Sequence, residues 1–359
     1  MGTMQGRTVN TQVWSEISPI NQGEVYPKPQ WQNIAGSSNG QRLITCSYVR
    51  SDPSRPGRVY ISNNFGKNWN EVRPTGVDED RAWNKCVSDV TGQYLAVSDN
   101  GGDPDPDGGF IYTSDNYGSS WTKREPRGPG IKARWDKLTM SPDGSALLAT
   151  GAWLSGTWHF RLWRSVNYGV DWNEARPAGD VDIVWHPVLI GVDPNLMFVG
   201  RKQEYLHKSI DGGATWNFFL QGGWHLCAEY WGDAAQDSDG SHIIIQGDSA
   251  GVFWENEGYH YPFVAVSTDS GATFSKRITG YDLYKYWKCC GMNGDGSYML
   301  SSTNGAWGEK IYASHDQLTT YTFLPGPKTG TQYISMFMSS SGKYLYMVIR
   351  DFGIYKYAP

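Results

Sequence analysis

Charge is scarce in this chain: Asp, Glu, Lys and Arg make up 19% of its 359 residues, and the formal net charge is -5. With no Lys/Arg cluster to neutralise a phosphate backbone, nucleic acid is not an expected partner. No apolar run approaches the roughly 18 residues of a membrane span, so membrane insertion is not expected either. The start, MGTMQGRTVNTQVWSE, has neither the basic nor the apolar region of a secretory signal. Five cysteines (Cys46, Cys86, Cys227, Cys289, Cys290) make an odd number, and no CxxC pair or Cys/His ligand spacing occurs. Free thiols are the expectation, which fits cytoplasmic production or a component of a virion or other particle. No cofactor and no metal are expected. The stretch DPDPDGG, Asp103 to Gly109, imitates the start of a calcium loop. Its twelfth position is Ser114 rather than an acidic ligand, so Asp103 to Asp107 reads as an acidic turn.

What the chain does have is aromatic residues (14%, including 17 Trp) and 43 Gly, the composition of a β-rich protein with many tight turns. The stretch SDNYGSSW, Ser114 to Trp121, has counterparts in SNNFGKNW from Ser62, SVNYGVDW from Ser165, SIDGGATW from Ser209, STDSGATF from Ser267 and a degraded SHDQLTTY from Ser314. A recurrence at about 50 residues marks a repeat architecture. In each turn the serine and the third residue (Ser62 and Asn64, Ser114 and Asn116, Ser165 and Asn167, Ser209 and Asp211, Ser267 and Asp269, Ser314 and Asp316) can bond nearby backbone. Gly supplies a positive φ, and the aromatic covers the neighbouring blade. These residues staple their own hairpin and are structural.

A second signal precedes each turn: an aromatic followed nine residues later by another turn, at Trp31, Trp83, Trp135, Trp185, Trp231, Trp287 and Tyr333. Four short strands per unit, A to D, make a propeller blade. The sequence therefore predicts an all-β, seven-bladed propeller in one domain. Its blades cover residues 31–74, 83–124, 135–176, 185–220, 231–278 and 287–324, and strands A to C of the seventh cover 333–359. Residues 8–20, with Trp14 placed like a turn tryptophan, supply the missing strand D and close the ring.

These repeats resemble the Asp-box (BNR) repeats of sialidases, sortilin-type receptors, some glycoside hydrolases and photosystem II assembly-factor propellers, over essentially the whole chain. The resemblance implies the fold; the families that share it differ widely in activity. Sialidases carry an early Arg-Ile-Pro and an arginine triad. No Arg-Ile-Pro occurs here, and VRP at Val72 and ARP at Ala175 read as strand exits, so no sialidase catalytic residue is carried over.

Function is expected on the face formed by the D-to-A and B-to-C connections, where variation concentrates. Twelve of the 17 tryptophans are explained by the repeat; Trp153, Trp158, Trp224, Trp254 and Trp307 are not, and all fall on that face. Together with Tyr259 and His260 they suggest an aromatic surface that stacks on sugar rings, so a carbohydrate or glycoconjugate is the preferred partner, and a protein the alternative. The residues beside the strand A aromatics (Arg134, Asp136, His186, Glu229, Tyr230, Asp233) are weaker candidates for catalysis by a glycoside hydrolase or polysaccharide lyase. The expected function is non-catalytic recognition, lectin- or adhesin-like, with a glycan-cleaving enzyme and a protein-binding assembly scaffold as the alternatives.

Overall fold

Strand A begins in every blade with a large aromatic, and in the computed structural model all seven of these side chains are buried. That model describes residues 14–19, 29–48, 57–101, 108–202, 204–221, 224–225, 227–228, 230–248, 253–254, 258–259, 262–279, 286–304, 310–328 and 331–357. The described residues form seven antiparallel blades in the order A-B-C-D, with no helix. Blade 1 is typical: Gln30–Gly36, Leu43–Tyr48, Val59–Ser62 and Asn70–Val72. Second strands such as Leu95–Asp99 and Leu345–Ile349 are buried throughout, because each is covered on both faces by neighbouring blades.

The core is distributed between the blades. Seven hydrophobic clusters each bridge two adjacent blades, and each contains one of the strand A aromatics. Trp135, for example, sits with Ala96 and Ile111 of blade 2 and with Leu147 and Ala149 of its own blade. Fully burying such a side chain stabilises by a few kcal/mol (about 3–5 lost on truncation to Ala), so the aromatics act as keystones at every junction.

The last blade joins the two ends of the chain. Trp14–Glu16 pairs with Gly353–Tyr357 in the register Trp14 to Tyr357, and the Trp14 indole N–H donates to the Pro325 carbonyl at 2.8 Å. The expected closure by an N-terminal strand is thus present. A further ring of backbone bonds joins A-to-B turns of neighbouring blades: Ser340 donates to Ser38, Ser38 to Val90, and Val90 to Pro142.

All six Ser-x-Asp/Asn turns share one hydrogen-bond set. The serine hydroxyl donates to the Asn or Asp Oδ1 at 2.7–3.1 Å and accepts the N–H four residues on at 2.8–3.0 Å. That same Oδ1 accepts the backbone N–H four residues beyond it at 2.8–2.9 Å. The glycine has the expected positive φ, as at Gly118 (79°), and the residue before it is left-handed too, as at Tyr117 (60°). Leu318, which replaces the glycine in blade 6, keeps this conformation at φ 61° because its side chain is fully buried in the junction between blades 5 and 6.

The two Arg-Pro exits have a physical role. Arg58 and Arg161, which lie at equivalent places before or on strand C, are each surrounded by carboxylates from strand D and the D-to-A loop. Arg58 meets Glu71 (3.6 Å), Asp78 (2.6 Å) and Asp80 (2.8 Å); Arg161 meets Glu174 (2.9 Å), Asp180 (3.1 Å) and Asp182. Arg73 and Arg176 of the exits bridge the same carboxylates from outside. Their strand-exit reading holds, and each one completes an ion-pair network.

Candidate functional site: the channel mouth

Strand A lines the central channel, and its local geometry decides which side chains enter it. In six blades the A-to-B register slips by at least one residue just after the leading aromatic, for example between Trp83 and Lys85, Trp135 and Lys137, and Trp287 and Cys289, and in blade 4 it slips between Pro187 and Leu189. Such a β-bulge lets two consecutive side chains face the same side. Asn84 with Lys85, Asp136 with Lys137, and Gly232 with Asp233 accordingly all line one cavity of about 1,100 Å³. That is the upper end of the range for ligand sites. Gln32, Lys288, His186, Tyr286, Gln332 and Arg350 also line it.

Of the six catalytic candidates, the structure brings Asp136, His186 and Asp233 into this cavity. Glu229 lies outside the described residues, and of Tyr230 only the strand is described. Arg134 is turned to the rim, its guanidinium 4.9 Å over the Trp158 ring. Burial raises the Asp136 carboxyl above its usual range against the opposing pull of Lys137, Asn100 and Arg134. Asp233 is raised in the same way against Lys85 and Lys137, while its Oδ2 accepts the Cys290 N–H at 3.5 Å. Both side chains line the cavity yet are crowded by protein, which is why their charged forms are disfavoured. The named charges acting on each carboxyl come from Lys or Arg side chains. His186 is held neutral, its pKa lowered to about 3 by burial and then by Lys137 and Lys202, so it is no proton donor at neutral pH.

Two lysines are what the sequence reading missed. Lys85 and Lys137 enter the cavity one residue beyond the bulge, where the alternation of a regular strand would turn them elsewhere. The Lys137 ammonium is lowered to about 8 by burial first and then by Lys85, with Asp136 opposing and Lys288 adding to the effect. Aligned beneath one another, the stretches WNK and WDK carry their lysines two places after the keystone, and WKC carries Lys288 one place after it.

The aromatic candidates divide. Trp153 and Trp158 stand on a regular hairpin, Leu147–Ser155 with Thr157–Ser165, where the sequence reading had a variable loop; strands B and C of blade 3 simply continue to a turn at Gly156. Trp153 is enclosed: the Arg127 guanidinium lies 3.6 Å from its ring centroid and the His159 ring stacks at 5.3 Å, with His159 Nδ1 3.1 Å from Asp182. Trp158 is 42% exposed, stacked beside the cavity-lining Phe160, and Tyr286 on the opposite wall is 39% exposed. The strands holding Trp224, Trp254 and Tyr259 are described but their side chains are not, and His260 and Trp307 lie outside the described residues, as do Asp103 to Asp107. Among the described residues no group of three or more His, Cys, Asp or Glu could hold a metal ion. Cys289 and Cys290 are buried, the former with its Sγ 2.9 Å from the Ser302 hydroxyl.

No family model matches the chain, and no curated protein matches it. Solved structures do. YCF48 from Cyanidioschyzon merolae is similar at TM-score 0.59 and 11% identity, over 96% of this chain and 98% of that one. The GH74 enzyme of Niastella koreensis is similar at TM-score 0.63 and 14% identity, over 96% of this chain but only 53% of its own length. A structure of YCF48 bound to D1 peptide is similar at TM-score 0.56 and 10% identity, over 96% of each chain. At these identities the likeness is one of fold: this chain is a seven-bladed β-propeller.

Proposed function

We propose that the chain is a non-catalytic recognition propeller that takes a carbohydrate at the channel mouth. The observation that supports this reading is an open, polar cavity of about 1,100 Å³ with flat aromatic faces, Trp158 and Tyr286, exposed around its rim. Apolar ring faces stack on the C–H faces of sugars, while Gln32, Asn84 and Gln332 are placed to bond hydroxyls. Trp224, Trp254, Tyr259, His260 and Trp307 are further candidates for stacking on the same ligand in this reading, and the six turns are read as Asp boxes.

Against catalysis stands the surrounding charge: the charges that act on Asp136 and Asp233 are those of lysine and arginine rather than a second carboxyl, and His186 is neutral. A hydrolase needs one carboxyl acting against another across about 5–9.5 Å. The decisive experiment is a glycan array with the wild type and a Trp158→Ala/Tyr286→Ala double variant, with soluble product scored from the same glycans. Binding lost in the variant, without product, supports a lectin-like module. Product release makes the protein an enzyme acting through Asp136 or Asp233. Silence in both assays removes the glycan, and a peptide or protein partner, of the kind one YCF48 structure carries, takes its place.

A further inference from the structure

The cations of this protein are treated in two ways. Arg58 and Arg161 are each enclosed by three carboxylates, and Arg81 lies between Glu79 at 2.6 Å and Asp99 at 2.7 Å. In the cavity, Lys85, Lys137, Lys288 and Arg350 make no ion pair among the described residues, and the Arg350 Nε is buried without a hydrogen-bond partner. Among the described residues Lys288 meets the Tyr286 ring, at 6.0 Å. A chain with 36 acidic residues against 31 basic ones could have paired them.

We infer that these four cations form a receptor for an anionic group on the ligand, so that the glycan taken at the mouth is an acidic one, carrying carboxylate or sulfate. This inference rests on the carbohydrate reading above. The groups facing Lys137 are Lys85 and Lys288, which repel its charge, and Asp136 and Asp233, which attract it. Neutral His186, Asp248 and Arg161, the last already satisfied by its own carboxylates, complete the titratable lining beside Tyr286. Four cations against the three carboxylates of Asp136, Asp233 and Asp248 leave the cavity positive inside a negative protein. Repulsion among the ammoniums is relieved by an anion seated between them. The bound anion therefore raises the affinity of Lys137 for its proton. By linkage, binding is strongest where Lys137 is already protonated and weakens as pH rises through about 8.

The test is calorimetric titration of the full chain with a galacturonate oligosaccharide, its neutral methyl ester, a heparin-derived sulfated oligosaccharide and a glutamate-rich peptide, at pH 6.5 and pH 9.5. At least one acidic glycan is expected to bind about tenfold or more tighter than the neutral ester, with affinity falling at the higher pH. Lys137→Met should bring it down to the ester's level, and Lys137→Arg should retain it and abolish the pH dependence. Lys137→Met removes a disfavoured charge and keeps a side chain of similar length, so thermal unfolding should be unchanged or raised and loss of binding is not loss of fold. If the ester binds as well as the acids, the inference fails while the carbohydrate reading stands. If the peptide alone binds, or nothing does, both fail.

Discussion

The Ser-x-Asp/Asn turns and the inner wall of the ring come from one repeat, yet they treat polar groups in opposite ways. In the turns every serine oxygen and every Asn or Asp Oδ1 meets a partner within its own hairpin. On the wall, bulges turn lysines into the cavity with no carboxylate in contact among the described residues. A turn that consumes its own hydrogen bonds can be repeated six times and do nothing but hold two strands together. Side chains left without such partners are the ones available to something else.

The comparison can be broken from either side. The largest effect is expected at Leu318→Gly. Glycine would relieve a left-handed leucine, worth about 1–2 kcal/mol, but would empty a fully buried site, costing about 2–5 kcal/mol, so the variant should lose up to about 4 kcal/mol in denaturant unfolding. A gain in stability would mean the turn, and not the junction, governs that site. Next, Ser165→Ala strands the buried Gly169 N–H and should cost about 1–3 kcal/mol while leaving ligand binding intact. Lys137→Met should do the reverse.

Acid sharpens the contrast within the turns themselves. Blades 1 to 3 use Asn64, Asn116 and Asn167, which carry no charge. Blades 4 to 6 use Asp211, Asp269 and Asp316, all with lowered pKa. Asp211 is lowered to about 2, first by the Thr215 hydroxyl and then by the Thr215 N–H and Ser209. A carboxylate with a lowered pKa contributes its stability above its unfolded value of about 3.9 and loses it as pH falls through the folded one. Hydrogen exchange measured from pH 4 to pH 2 should therefore show blades 4 to 6 loosening before blades 1 to 3; uniform loss around the ring would contradict this. The smallest effect is expected at Asn167→Asp. The Asn167 amide donates to Asp171 at 2.8 Å, so a carboxylate there meets another and should cost a few tenths of a kcal/mol, restored by adding Asp171→Thr. Thermal unfolding of the single and double variants checks it.

The turns were legible in the sequence because their bonds join residues four apart or fewer, so the residue types had to recur where the geometry recurs. The junction aromatics were legible for the same reason: one keystone per blade leaves one aromatic per repeat. The bulges were not. Gln32, Asn84, Asp136, Lys288 and Ile334 all occupy them, and a one-residue slip in register asks for no particular side chain. Asp136 and His186 were found because they adjoin a keystone; Asp233 stands one place further on, as do Lys85 and Lys137, which were passed over. The blade 3 hairpin was mistaken for a loop since Ser155 and Gly156 outweighed the strand alternation that continues to Ser155 and resumes at Thr157.

The pairing of Trp14 with Tyr357 has a mechanical meaning. Because the two residues face each other across an antiparallel pair, tension applied at the ends of this blade peels the strands apart one bond at a time rather than loading them all at once. The ring is thus a clasp that resists heat through all seven junctions but yields to a pull at a single place.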